Sequence, residues 1–300
     1  MDAKRTPDDR FDNLADFPYE PQYVDVDDGD GGTLRMAYVD EGERDAPPVL
    51  MLHGEPTWSY LYRKMIPLFV DAGYRAVAPD LVGFGRSDKP TSRDDYSYAR
   101  YVDWTRQFVE KARLEDIHLV CQDWGGLIGL RLVADMPERF AKVVAANTFL
   151  PTGDEPLPDA FFKWRDLSQS MDDLDAGAVV DLGTVGELSE DAMAAYRAPF
   201  PDTSYQAAAH VFPMLVPTSP DDPASEANRE AWDTLQQFEK PFLTLFGDSD
   251  PIMRGADVIF QDIIPGAKGQ PHGTIEGAGH FIQEDKGEEL ARRSVEFFRG

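Results

Sequence analysis

Leu119-Val120-Cys121-Gln122-Asp123-Trp124-Gly125-Gly126 is the stretch on which the reading of this chain turns. The apolar run at residues 117–121 predicts a short buried strand, and residues 127–133 predict a helix. Only a few residues, two of them glycine, lie between. A strand that turns this sharply into a helix lifts the residue at the bend above the sheet. That is the geometry of a nucleophile elbow, usually met as G-x-S-x-G. The bend crowds the backbone, so small residues are needed two places before and after it. Cys121 and Gly125 fill those places, and the lifted position holds Asp123 where Ser is usual. A carboxylate there suggests a nucleophile that forms an ester with a substrate carbon. The competing reading is a helix N-cap, a role that aspartate fills well.

Outward from the elbow, strands alternate with helices. Strands are expected at 22–26, 33–38, 48–52, 75–78, 117–121, 142–147, 242–246 and 274–276. Helices are expected at 59–69, 97–113 and 284–298. The stretch at 48–52 is apolar on both faces, as in the interior of a parallel sheet. The pattern predicts an α/β fold: a mostly parallel eight-stranded sheet with helices on both faces. Residues 151–224 break the alternation. They are rich in Pro, Asp and Ala, with helical pieces and no strand. We read them as a helical cap inserted into a core formed by residues 1–150 and 225–300, roofing the crevice at the strand ends. Residues 1–20, polar and Pro-containing, are expected to form an arm on the surface.

The charge is lopsided: 55 acidic against 29 basic side chains among 300 residues, a net −26. This argues against nucleic acid or an anionic membrane as partner. Arginine outnumbers lysine, and the acidic residues are spread along the chain. A surface so charged repels itself in dilute buffer, which suggests a halophile's cytoplasmic protein. No apolar run reaches the roughly eighteen residues of a membrane span, and the first residues lack the apolar segment of a signal peptide. The single cysteine, Cys121, precludes an internal disulfide and, set in an apolar strand, reads as a packed thiol.

Three features join Asp123. Gly277-Ala278-Gly279-His280-Phe281 places a glycine-flanked histidine late in the chain, after the nucleophile, where the α/β-hydrolase pattern has its base. The other histidines, His53, His118, His210 and His272, get a structural reading. Phe246-Gly247-Asp248-Ser249-Asp250-Pro251 offers a carboxylate to orient His280. Asp250 is preferred, three places after the glycine, with Asp248 as the alternative. His53-Gly54-Glu55-Pro56 is expected to supply an oxyanion-hole donor, the Glu55 N–H. The second donor would be the N–H of Trp124, each such donor being worth about 10²–10³ in rate.

His53-Gly54-Glu55-Pro56-Thr57-Trp58, Gly83-Phe84-Gly85-Arg86-Ser87-Asp88-Lys89-Pro90, Gln122-Asp123-Trp124-Gly125-Gly126 and Gly279-His280-Phe281 together resemble the haloalkane dehalogenases of the α/β-hydrolase superfamily. The likeness runs almost end to end and is nearest to the branch whose triad acid lies late, as Asp250 does. It implies hydrolysis of haloalkanes to alcohol, halide and proton through an alkyl ester on Asp123. It also implies a halide held by two indole N–H groups, from Trp124 and, in Phe161-Phe162-Lys163-Trp164 of the cap, from Trp164. No metal or organic cofactor is implied. The partners are a small halogenated alkane and halide ion, and the chain is expected as a monomer or weak homo-oligomer. Leu127 stands where this branch often has an aromatic residue, which leaves substrate size open. An epoxide hydrolase is the alternative. It uses the same Asp-His-Asp logic and needs cap tyrosines as acids, and Tyr196 and Tyr205 are available. A dehalogenase of haloacids would want arginines near the elbow.

Overall fold

The strands at the centre carry no polar face. Every residue of Pro48–Leu52, Ile117–Gln122 and Phe242–Gly247 is buried. Strands apolar on both sides need cover on both sides, and a helix after each strand provides it. The computed structural model, which describes residues 1–300, builds one eight-stranded sheet from β1 (Gln22–Asp27), β2 (Thr33–Glu41), β3 (Pro48–Leu52), β4 (Arg75–Pro79), β5 (Ile117–Gln122), β6 (Phe140–Ala146), β7 (Phe242–Gly247) and β8 (Gly273–Ile275). Their order across the sheet is β8-β7-β6-β5-β3-β4-β2-β1. All neighbours from β4 to β8 pair in parallel, while β2 is antiparallel to both β1 and β4.

The helices are α1 (Ile66–Asp71), α2 (Tyr98–Lys111), α3 (Trp124–Asp135), α4 (Asp159–Ser170), α5 (Ala176–Leu182), α6 (Glu190–Arg197), α7 (Ala207–Val211), α8 (Ser225–Leu235), α9 (Asp257–Ile263) and α10 (Ile282–Arg299). None is long and apolar enough to cross a membrane. The helix expected at 59–69 is broken. A 3-10 turn, Ser59–Tyr62, precedes α1, and Pro67 sits in α1's first turn. Proline has no N–H for the Arg63 carbonyl, so one continuous helix cannot form. The C-terminal helix starts two residues earlier than the pattern suggests and kinks at Lys286.

Helices α4 to α7 fall between β6 and α8. The Asn228 amide of α8 donates to Pro151 O (2.7 Å) and accepts from Arg131 of α3 (3.1 Å), so α8 rests on the sheet's helical cover. The arm is less superficial than its composition suggests. Ala3–Lys4 pairs with Lys89–Pro90, Thr6 donates to Pro199 O of the cap (2.7 Å), and Phe11 and Phe17 bury their rings against Trp58.

Two further ties fasten the cap. Trp58 Nε1 donates to Ala195 O (3.1 Å). Below it, Arg63 forms a two-pronged ion pair with Glu284, and the Tyr196 hydroxyl donates to the same carboxylate. All three side chains are buried.

Candidate active site

At the end of β5 the backbone takes a conformation that few side chains adopt: Asp123 has φ +51° and ψ −131°. Strain of this kind costs about 1–3 kcal/mol and persists where the surroundings enforce it. They do so here. The Asp123 N–H donates to Asn147 O (3.1 Å), and its carbonyl accepts from Thr148 Oγ1 (2.8 Å). Gly125 lies so close to the Leu52 carbonyl that a Cβ there would overlap it, which explains the small residue that the elbow needs. Asp123 occupies the N-cap position of α3, yet its side chain caps nothing. The capping reading therefore fails.

The carboxylate is held elsewhere. Its Oδ1 accepts the Glu55 backbone N–H at 2.9 Å, and its Oδ2 lies 3.4 Å from His280 Nε2. Gly54 makes the approach possible, since a Cβ would strike Asp123 Oδ1. Of the two expected oxyanion donors, Glu55 reaches Asp123. The Trp124 N–H sits at the first position of α3, where the helix itself supplies no acceptor, and makes no bond to the carboxylate.

His280 Nδ1 is 2.8 Å from Asp250 Oδ2. Asp250 Oδ1 accepts the N–H groups of Ile252 (2.8 Å) and Met253 (3.1 Å). Asp248, the other carboxylate considered, faces Ser249 and the Gly277 N–H instead. Burial works against charge on His280, but Asp250 and then Asp123 outweigh it and push its pKa up to about 10. Burial likewise opposes charge on Asp250, yet His280 and the two amides hold that carboxyl below its ordinary value. The Glu55 carboxyl is pushed well above the carboxylate range, first by burial and then by the charge on Asp123. That favours its neutral form.

These groups open into a cavity of about 900 Å³ between cap and core. Its lining includes Asp123, Trp124, Leu127, Trp164 and His280. Trp124 is fixed by stacking on Phe212 (4.4 Å between centroids) and by the edge of Tyr98 (5.0 Å). Trp164 comes from α4 of the cap. Trp58 and Trp232 donate their indole N–H to carbonyls of Ala195 and Leu150, whereas Trp124 and Trp164 line the cavity and their indole N–H groups bond no acceptor in the chain.

The cap tyrosines are not available to the cavity. Tyr196 is fully buried on Glu284, and Tyr205 lies beneath the Lys4 ammonium, 4.9 Å from its ring centre. Neither lines the cavity. His53 is pinned, with Nδ1 against Gly54 O and Nε2 accepting the Leu81 N–H, both at 2.9 Å. The Cys121 thiol is packed against Val144 O, and burial raises its pKa.

Three residues of the site escape the sequence reading. Asn147 donates to Gly279 O (2.7 Å) and His280 O (3.1 Å), and its Oδ1 accepts the Gly247 N–H (2.8 Å). Gln122 donates to His280 O (3.1 Å). Asp285 binds the loop before His280 through the Gly279 N–H (2.8 Å). A polar residue closing an apolar strand, as Gln122 and Asn147 do, is the signal that marks the first two.

Residues 47–287 match the family of the alpha/beta hydrolase fold. A haloalkane dehalogenase of Psychrobacter cryohalolentis is 57% identical over 297 residues, 99% of this chain and 98% of that protein. One of Mycolicibacterium paratuberculosis is 55% identical over 293 residues, 98% of this chain and 97% of that one. Among solved structures, the tetrameric haloalkane dehalogenase DpaA of Paraglaciecola agarilytica superposes with a TM-score of 0.91 at 40% identity, over 99% of this chain and 98% of that one. With the elbow aspartate, the late acid and this end-to-end likeness, the chain belongs to the haloalkane dehalogenases of the α/β-hydrolase fold, hydrolases that act on carbon–halide bonds.

Proposed function

We propose that dehalogenation here runs through a covalent alkyl ester on Asp123. The observation that carries the reading is the division of labour between its two oxygens. Oδ1 is held by the Glu55 N–H, and Oδ2, facing His280, is left to attack. Oδ2 bonds to the halogen-bearing carbon as the carbon–halogen bond breaks, and halide leaves with the electron pair. The indole N–H groups of Trp124 and Trp164 receive it. A hydrogen bond to a charged group contributes about 1.5–3 kcal/mol, and an indole donates without offering a competing acceptor.

Water then completes the cycle. His280 Nε2 takes a proton, and the hydroxide adds to the Asp123 carboxyl carbon. Negative charge collects on Oδ1, opposite the Glu55 N–H. Collapse expels the alkoxide, which recovers the proton from His280 and leaves as alcohol. The Asp123 acid ionises and releases a proton. The electrostatics favour this order. In the resting site His280 stands between two carboxylates, which stabilise its charged form. Esterification neutralises one of them, which weakens the imidazole's hold on a proton before water must be activated.

The epoxide reading loses support because the cap tyrosines that would protonate the ring oxygen do not reach the cavity: both are engaged elsewhere. Bromide release from 1,2-dibromoethane, with neither diol from styrene oxide nor fluoride from fluoroacetate, is the expected outcome. Diol without bromide would reverse the assignment. Asp123→Ala is expected to abolish turnover. His280→Gln is expected to stop at the ester, visible by intact mass as the added alkyl group on Asp123.

A further inference from the structure

The loop that carries His280 is held from two sides. On the core side, Gln122 and Asn147 bind the His280 carbonyl, each at 3.1 Å. On the cap side, the His280 N–H donates to Gly183 O at 2.7 Å, and the Phe281 N–H shares that acceptor at 3.3 Å. Gly183 ends α5, so half of the imidazole's backbone support comes from the cap.

Gly183 is fixed by its own N–H, which bonds Val179 O (3.2 Å) and Val180 O (3.1 Å) of α5, and by the turn that follows it, at residues 184–186. The Thr184 hydroxyl lies within bonding distance of Asp181 O in α5 (2.8 Å) and of Gly186 O in the turn (2.9 Å). Beyond that the turn leans on one carboxylate. Asp285, in the first turn of α10, accepts the N–H of Val185 (3.0 Å), of Gly186 (3.0 Å) and, on the His280 loop itself, of Gly279 (2.8 Å). One side chain thus ties the cap turn to the base loop. Val185 is 56% exposed and adds no packing that could replace the tie.

We infer that Asp285 is a positioning residue for His280, acting through this turn and through its bond to the Gly279 N–H, and that it governs the second half of the reaction. The inference rests on the proposed Asp123 ester. Attack by Asp123 needs no proton transfer, whereas ester hydrolysis needs His280 Nε2 within about 2.6–3.2 Å of the water. A shift of about 1 Å at such a group costs roughly 10²-fold. Loosening the turn therefore slows hydrolysis and spares alkylation.

Quench-flow with 1,2-dibromoethane separates the two steps, with intact mass reporting the adduct. For Asp285→Ala the bromide burst should keep its rate within about twofold, hydrolysis should slow by about tenfold or more, and alkyl-enzyme should accumulate at steady state. Asp285→Asn keeps one acceptor oxygen and should fall between parent and Ala variant. It is read in the same way if the Ala variant does not fold. Equal slowing of both steps, or no change in either, would overturn the assignment while leaving the ester reading intact. A parent enzyme that releases bromide, with no adduct in any variant including His280→Gln, would overturn the ester reading and this inference with it.

Discussion

Asp123, His280 and Asp250 were legible because each sits in a short motif whose residue types have few other uses: an acid at an elbow, a histidine between glycines, an acid three places past a strand-ending glycine. Asn147 and Asp285 were not, because their partners are backbone groups of residues distant in sequence, and a carbonyl or amide leaves no compositional trace. The same contacts give a residue-scale prediction. Removing the charge at position 123 removes one of the two carboxylates that favour imidazolium, so Asp123→Asn should lower the His280 pKa from the neighbourhood of 10. An imidazole NMR titration reads it. A pKa unchanged by the substitution would mean that Asp250 alone sets the charge of the base.

Elements read well where hydrophobic period and length agreed, as in β3, β5 and β7, and less well where a side chain or a proline interrupts. The 59–69 segment divides at Pro67, and α10 kinks just after Asp285. The kink follows two consecutive acids of unlike duty: Glu284 reaches Arg63 and Tyr196, Asp285 the cap turn. That pairing was not predictable from an acidic run that looks like a solvated helix start. Glu284 is buried, which opposes its charge, but Arg63 and Lys64 hold its carboxyl below the usual 4.5. Its contribution is therefore complete above about pH 4.5 and fades as the pH falls through the depressed value. Glu284→Gln leaves the Arg63 guanidinium unpaired among buried aromatics and should cost about 3–5 kcal/mol at neutral pH. Urea unfolding at pH 7 measures the loss. At low pH, where the parent carboxyl protonates, the gap between the two should narrow.

For the whole molecule, the fold and the cap insertion followed from the order of apolar runs, whereas the size of the cavity could not be read from residue types at all. At about 900 Å³ it is far larger than a two-carbon haloalkane, and its lining is largely apolar. Each further buried methylene is worth about 0.8 kcal/mol, so kcat/KM for 1-bromoalkanes should climb by roughly fourfold per carbon from ethyl until the tail leaves the cavity. A flat series would show that the volume is not used. The net charge of −26 argues at the same scale. Molar salt shortens the screening length to about 3 Å, so the unfolding midpoint should rise between dilute buffer and molar KCl. The two tryptophans of the cavity complicate what that brine does. Potassium screens the acidic exterior, but the chloride that accompanies it is also a ligand for Trp124 and Trp164 on the proposed mechanism, so the salt that steadies the fold brings an ion that competes with the leaving group for its berth. Potassium glutamate, which screens equally and is too bulky and polar for that berth, should therefore sustain faster turnover than potassium chloride at the same ionic strength, with little difference in unfolding temperature.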